Sequence, residues 1–144
     1  MSAAPPTQAE GNRRVILVCR SAGCRALLAR IVGGAETHAS DVEAVLAVLR
    51  RPPQAVVLNL EDIEGREREL LAALRRSRPE TPVYVIAQPA DEPLARSLVR
   101  DGAADYFVLP TDIYRLPRTL EKAARSGLRP GAAGLRPGEA GQPV

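Results

Sequence analysis

The groups in this sequence with chemistry to offer are two cysteines, a single histidine, and the acids and amides that follow its apolar runs. Cys19 sits beside Arg20, whose charge would favour a thiolate, with Cys24 further along the chain. Their spacing matches neither the common zinc motifs nor a dithiol pair, so a redox sensor is the sharper reading of Cys19 and a small buried hydrophobe the plainer one. His38, Ser40 and Asp41 supply the residue types of a hydrolytic triad, but neighbours at one strand end cannot converge on a single proton path. Gly23 and the pair Gly33-Gly34 lack the strand-then-helix setting of a phosphate loop. From these groups we expect no catalytic set, no metal site and no cofactor.

The elements that would position these residues follow from hydrophobic period. With 144 residues, 45% of them apolar and 26% charged, the chain has room for one folded unit of ordinary soluble composition. Short apolar runs alternate with helical spacing, which is the pattern of βα units around a parallel sheet buried on both faces. Strands are expected at Val15–Cys19, weakly at Ala35–Ala39, and at Ala55–Leu60, Pro82–Ala87 and Asp105–Leu109. The helices between them follow from Cys24, Leu27, Leu28 and Ile31 at helical spacing; from Val42, Val45, Leu46 and Leu49, expected to face inward; from Glu67, Leu70, Leu71 and Leu74, over about Glu64–Arg78; and from Leu94, Leu98 and Val99, expected to face inward. Ser40-Asp-Val-Glu43 is a capping box, Asp91 can cap the fourth helix, and a last helix is expected over Tyr114–Arg125. The fold class is therefore α/β, with five strands and five helices alternating around a parallel sheet.

Domain boundaries follow from composition. Residues 1–12 are small and polar, residues 127–144 are rich in Gly and Pro, and the folded part is expected over 13–126. The tail repeats Gly-Leu-Arg-Pro-Gly at Gly127 and Gly134, as a docking peptide or as linker drift. No apolar run is long enough for a membrane span or a secretory leader, so a reducing cytoplasm is the expected compartment. The net charge of +3 is mild, and the Arg residues interleave with acids on helices without stacking aromatics, which argues against nucleic acid.

Three strings carry a family resemblance: Pro53-Gln-Ala-Val-Val-Leu-Asn-Leu60, Thr81-Pro-Val-Tyr-Val-Ile86 and, most specific, Asp101-Gly-Ala-Ala-Asp-Tyr-Phe-Val-Leu-Pro110. Over about Arg14–Arg125 the chain resembles the receiver domain of bacterial two-component response regulators, which implies a three-layer, doubly wound, five-stranded parallel sheet of the flavodoxin/CheY-like (βα)5 kind, with its functional edge at the strand carboxyl ends. The resemblance implies five phosphorylation positions, and none holds the family's residue. The two magnesium-binding acids correspond to Cys19 and Arg20, the phosphoacceptor aspartate to Asn59, the hydroxyl residue to Ala87 and the lysine to Leu109. Phosphoryl transfer relies on positioning and charge neutralisation, so this pattern leaves nothing to supply it.

What the resemblance then implies is a degenerate, or pseudo-receiver, domain: a phosphorylation-independent protein-interaction module of bacterial signalling. Arg20 is expected to pair with Glu61 or Asp62 across the pocket mouth. The loop Leu60–Gly65 is shorter than the family's, and Glu61 or Asp62 as a substitute acceptor in a phosphorelay would lack adjoining magnesium ligands. Tyr106 holds the place of the family's switch aromatic, with room to stay inward beside Ala87, and Leu109-Pro110 is expected to be cis. The face of the fourth helix, fifth strand and fifth helix, which the family uses for signalling partners or self-association, carries Arg96, Arg100, Tyr106, Tyr114, Arg118 and Lys122. The rival reading is a small-ligand or anion sensor in which Cys19, Arg20, Asn59 and Gln88 line the crevice at the strand ends.

Overall fold

A computed structural model of the chain describes residues 14–32 and 36–127. Five strands, β1 (Val15–Val18), β2 (Glu36–His38), β3 (Ala55–Asn59), β4 (Val83–Ala87) and β5 (Asp105–Val108), alternate with five helices. The helices are α1 (Ala22–Val32), α2 (Asp41–Arg50), α3 (Glu67–Ser77), α4 (Glu92–Arg100) and α5 (Leu116–Gly127). The sheet is parallel throughout, in the order β2-β1-β3-β4-β5. This is the doubly wound arrangement that the resemblance implies, and its reversal of strand order places β1 beside β3. The expected N-terminal segment 1–12, all of the expected tail 127–144 except Gly127, and Gly33-Gly34 lie outside the described residues; Gly127, expected in the tail, ends the last helix.

The strands lack polar alternation because both faces are covered, as a parallel sheet with helical crossovers requires. Ile16, Val18, Val56, Leu58, Val83 and Val85 face one way and pack with buried residues of α2, α3 and α4. Val15, Leu17, Val57, Tyr84, Ile86 and Phe107 face the other way, against Leu28 of α1 and Leu116 and Leu120 of α5. Tyr84 and Phe107 meet edge to face at 6.1 Å, and Arg115 lies over the Phe107 ring at 4.8 Å.

Local signals set several boundaries. Ser40 caps α2 through its hydroxyl, which accepts from the Glu43 N–H at 3.2 Å. Gly102, just past α4, takes a φ of 126°, and the Asp101 and Ala103 amides turn back onto the Leu98 carbonyl. The loop after β3 forms a 3-10 turn over Leu60–Ile63, so α3 begins later than the expected Glu64. The fourth helix is preceded by a 3-10 turn, Pro89–Asp91, and Asp91 makes no side-chain cap. The last helix likewise starts at Leu116, after a 3-10 turn that contains Tyr114.

Two inward faces differ from the expectation. On α1, Leu28 is buried but Leu27 is 48% exposed. On α2 the residues against the sheet are Ala44, Ala47 and Val48, while Val42, Leu46 and Leu49 are exposed and Val45 is half-buried. Two alanines let the helix axis approach the strands closely, and the larger side chains are left on the far side.

Candidate functional site

The carboxyl ends of β1, β3 and β4 set side by side the residues that follow them. Asn59 is the last residue of β3 and is 3% exposed, Ala87 ends β4 at 1%, and Cys19 follows β1 fully buried. Arg20 is exposed, and Leu109, beyond β5, is half-buried. All five of these positions therefore lie along one edge, at or just past strand ends. No group of three or more His, Cys, Asp or Glu side chains arranged to hold a metal ion occurs among the described residues.

Asp62 organises this edge. Its Oδ2 accepts the Asn59 Nδ2–H at 2.9 Å and the Arg20 backbone N–H at 2.7 Å, so one carboxylate oxygen ties the end of β1 to the end of β3. The 3-10 turn directly after β3 brings Asp62 back over the strand end. The expected Arg20–Asp62 pairing thus occurs through the main chain: no ion pair joins the Arg20 guanidinium to Glu61 or Asp62 among the described residues. A backbone amide reaches the carboxylate without ordering a long side chain, which favours this form of the contact. The Cys19 Sγ lies 4.0 Å from Asn59 Nδ2, which is a packing distance, and the Cys24 side chain is not among those described.

On the far side of the edge, Leu109 donates its N–H to the Ala87 carbonyl, and Asp112 Oδ2 accepts from the Val108 N–H at 2.9 Å. The Leu109-Pro110 bond is cis, in agreement with the expectation. Sequence reasoning misses Asp112, although a turn aspartate after Pro-Thr is the kind of residue that caps a neighbouring amide.

Tyr106 is half-buried and packs against the core cluster that contains Ala87 and Ala95. Its hydroxyl donates to Glu92 Oε2 at 2.9 Å, and Arg96 pairs with the same oxygen at 3.3 Å. Glu92 is likewise missed, because an acid in a first helical turn reads as a dipole partner. Around Tyr106, Arg96, Arg100, Tyr114, Arg118 and Lys122 are all exposed, Tyr114 to 75%. Arg100 and Arg118 make no ion pair among the described residues.

Along β2, Arg14 Nε donates to Glu36 Oε1 at 2.9 Å, and His38 Nε2 lies 2.6 Å from Glu36 Oε2. The Arg14 guanidinium, with a smaller contribution from His38, holds the Glu36 carboxyl down at about 2 against the opposing effect of burial. The second ring nitrogen of His38 is 3.8 Å from Glu43, so the histidine faces two glutamates and forms no triad with Ser40 and Asp41.

No family model matches the chain, and no curated protein is significantly similar to it. Solved structures are. The receiver domain of NtrX from Brucella abortus is 26% identical with a TM-score of 0.69, over 78% of this chain and 98% of that one. The N-terminal signal receiver domain of a two-component response regulator from Bacteroides fragilis is 27% identical with a TM-score of 0.69, over 77% and 95%. The chain has the fold of a CheY-like receiver domain. Against a longer structure of NtrX it is 28% identical with a TM-score of 0.70, matching over 85% of its own length and 30% of that chain. The chain thus spans under a third of the longer NtrX chain. The fold supports a part in two-component signalling, and among the described residues no helix is long and apolar enough to cross a membrane.

Proposed function

We propose that this receiver domain is a pseudo-receiver, which signals through protein contact without aspartyl phosphorylation and has no enzymatic activity of its own. The observation that carries the reading is Asn59: at the acceptor position stands a buried amide whose nitrogen donates to Asp62. An amide offers no anionic oxygen to attack phosphorus, and a hard cation would find Cys19 and Arg20 where it wants carboxylates. Ala87 supplies no hydroxyl and Leu109 no ammonium to meet a phosphoryl group. The Asp62 bridge replaces a pocket that closes on a ligand with one joined internally.

The partner is a signalling protein or a second copy, met in the cytoplasm of a bacterium. The face proposed for it is α4-β5-α5, where Arg100 and Arg118 offer charges free of ion pairs among the described residues and Tyr114 offers an exposed ring. Incubation with acetyl phosphate and magnesium, read by intact mass, should leave the chain unmodified, and beryllofluoride should leave its amide NMR spectrum unchanged. An added phosphoryl mass, or shifts centred on residue 59, would reject the reading. Charge reversal of Arg100 and Arg118 together should abolish capture of the native partner; unchanged capture would reject this face alone.

A further inference from the structure

We propose that α2 is a self-association surface, on which a second copy of this chain packs antiparallel about a two-fold axis beside Leu46. The helix spends only its small residues on the sheet. Val42, Leu46 and Leu49 are 62%, 53% and 48% exposed, and their i, i+4, i+7 spacing makes a single stripe down the outer side. Single exposed aliphatics are ordinary, but three on one ten-residue helix form a continuous apolar surface. Half-buried Val45 extends it into an open cleft of about 370 Å³ shared with Leu70 and Ala73 of α3.

The occupant is identified by the charges beside the stripe. Glu43 and Arg50 are seven residues apart, and seven steps of roughly 100° fall about 20° short of two full turns, so both lie on the same flank. Both are exposed, and their midpoint along the helix falls beside Leu46. A two-fold axis there exchanges the ends of the helix while keeping its flanks. Glu43 of each copy then stands opposite Arg50 of the other, twice over, with Leu46 packed against the second Leu46 at the centre. A parallel two-fold pairing would instead put the two Glu43–Arg50 flanks on opposite sides of the interface, where neither charge meets an opposite one. The sequence of this one helix is therefore complementary to its own antiparallel image, in apolar content and in charge.

A ten-residue helix with its neighbouring cleft gives an interface at the small end of the specific range, so the dimer is weak and reversible. It leaves the strand-end edge and the α4-β5-α5 face open, and it does not depend on the phosphorylation state of the chain.

Sedimentation velocity on the full chain, from micromolar to near-millimolar concentration, should show a monomer–dimer equilibrium. Leu46→Arg should remove it, and Glu43→Arg or Arg50→Glu alone should weaken it at least tenfold. Mixing those two charge variants should restore association: one copy is then positive at both positions and the other negative at both, so each contact again joins opposite signs. Circular dichroism should show each variant folded, since none of the three side chains is buried. A wild type that stays monomeric throughout overturns the proposal, including one that instead recruits a different protein through the stripe. Dimerisation of Leu46→Arg equal to the wild type, or a mixture no tighter than its components, overturns it equally. None of these outcomes bears on phosphorylation.

Discussion

Asn59 and Asp62 are joined by a 2.9 Å hydrogen bond in which the amide at the end of β3 donates to a carboxylate three residues later. The same oxygen holds the Arg20 amide, so removing Asp62 breaks two contacts and frees the loops that follow β1 and β3 from each other. Because Asn59 is buried, its lost partner is replaced by water only at a cost. Asp62→Ala should therefore lower stability by about 1–2 kcal/mol, read from urea denaturation at neutral pH. A loss within a few tenths of a kcal/mol would mean that the bridge is not a fixed part of the fold.

Glu36 joins the edge strand β2 to Arg14, and its carboxyl is held at about 2 chiefly by that guanidinium. A folded-state value below the ordinary 4.5 means that the contribution is fully present above pH 4.5 and is lost as pH falls toward 2. The carboxylate is 35% exposed, so solvent screening holds its contribution to about 1 kcal/mol. Glu36→Gln should be less stable than the wild type by about that much at pH 7, with the gap closing between pH 4.5 and 2. A gap that stays constant over this window would assign the loss to packing.

Gly102 closes α4 with a φ of 126°, where an L side chain is strained. A Cβ there would lie 3.0 Å from Arg75 Nε, but that exposed side chain can move, so the backbone conformation sets the cost. Gly102→Ala should destabilise by about 1–2 kcal/mol without altering the β5 core, as measured by thermal unfolding and near-ultraviolet spectra. No loss would mean that the turn relaxes to a negative φ.

The strand runs were legible because both faces of a parallel sheet are buried: Val15–Val18 and Ala55–Asn59 have no alternation to misread. The inward side of α2 was not legible, since weighting by side-chain size selects Val42, Leu46 and Leu49, and the sheet was met instead by Ala44 and Ala47. Hydrophobic period finds a helix, but close approach of helix to strand rewards small residues that the period underweights. At the strand-end edge, the side chains of Cys19, Asn59 and Ala87 could be placed from the sequence and Asp62 was expected to partner Arg20, but its bond to Asn59 and the main-chain form of its bond to Arg20 were not legible. Its second donor is a backbone amide, and a main-chain contact leaves no mark in residue type.

Restoring an aspartate at residue 59 tests the proposed loss of phosphorylation from the opposite direction. Asn59→Asp converts a donor into a second carboxylate at hydrogen-bond distance from Asp62, so one of the two must bind a proton or separate. The folded-state affinity for that proton then exceeds the unfolded-state value, which makes the variant less stable than the wild type at pH 7, by about 1–3 kcal/mol. The difference should shrink as pH falls through the raised value, because the shared proton turns repulsion into a hydrogen bond. Acetyl phosphate and magnesium should still leave the variant unmodified by mass, since on the proposed reading Arg20 stands at a metal-ligand position and neither Ala87 nor Leu109 meets a phosphoryl group. Phosphorylation of the single variant would show that the acceptor alone separates this chain from a working receiver.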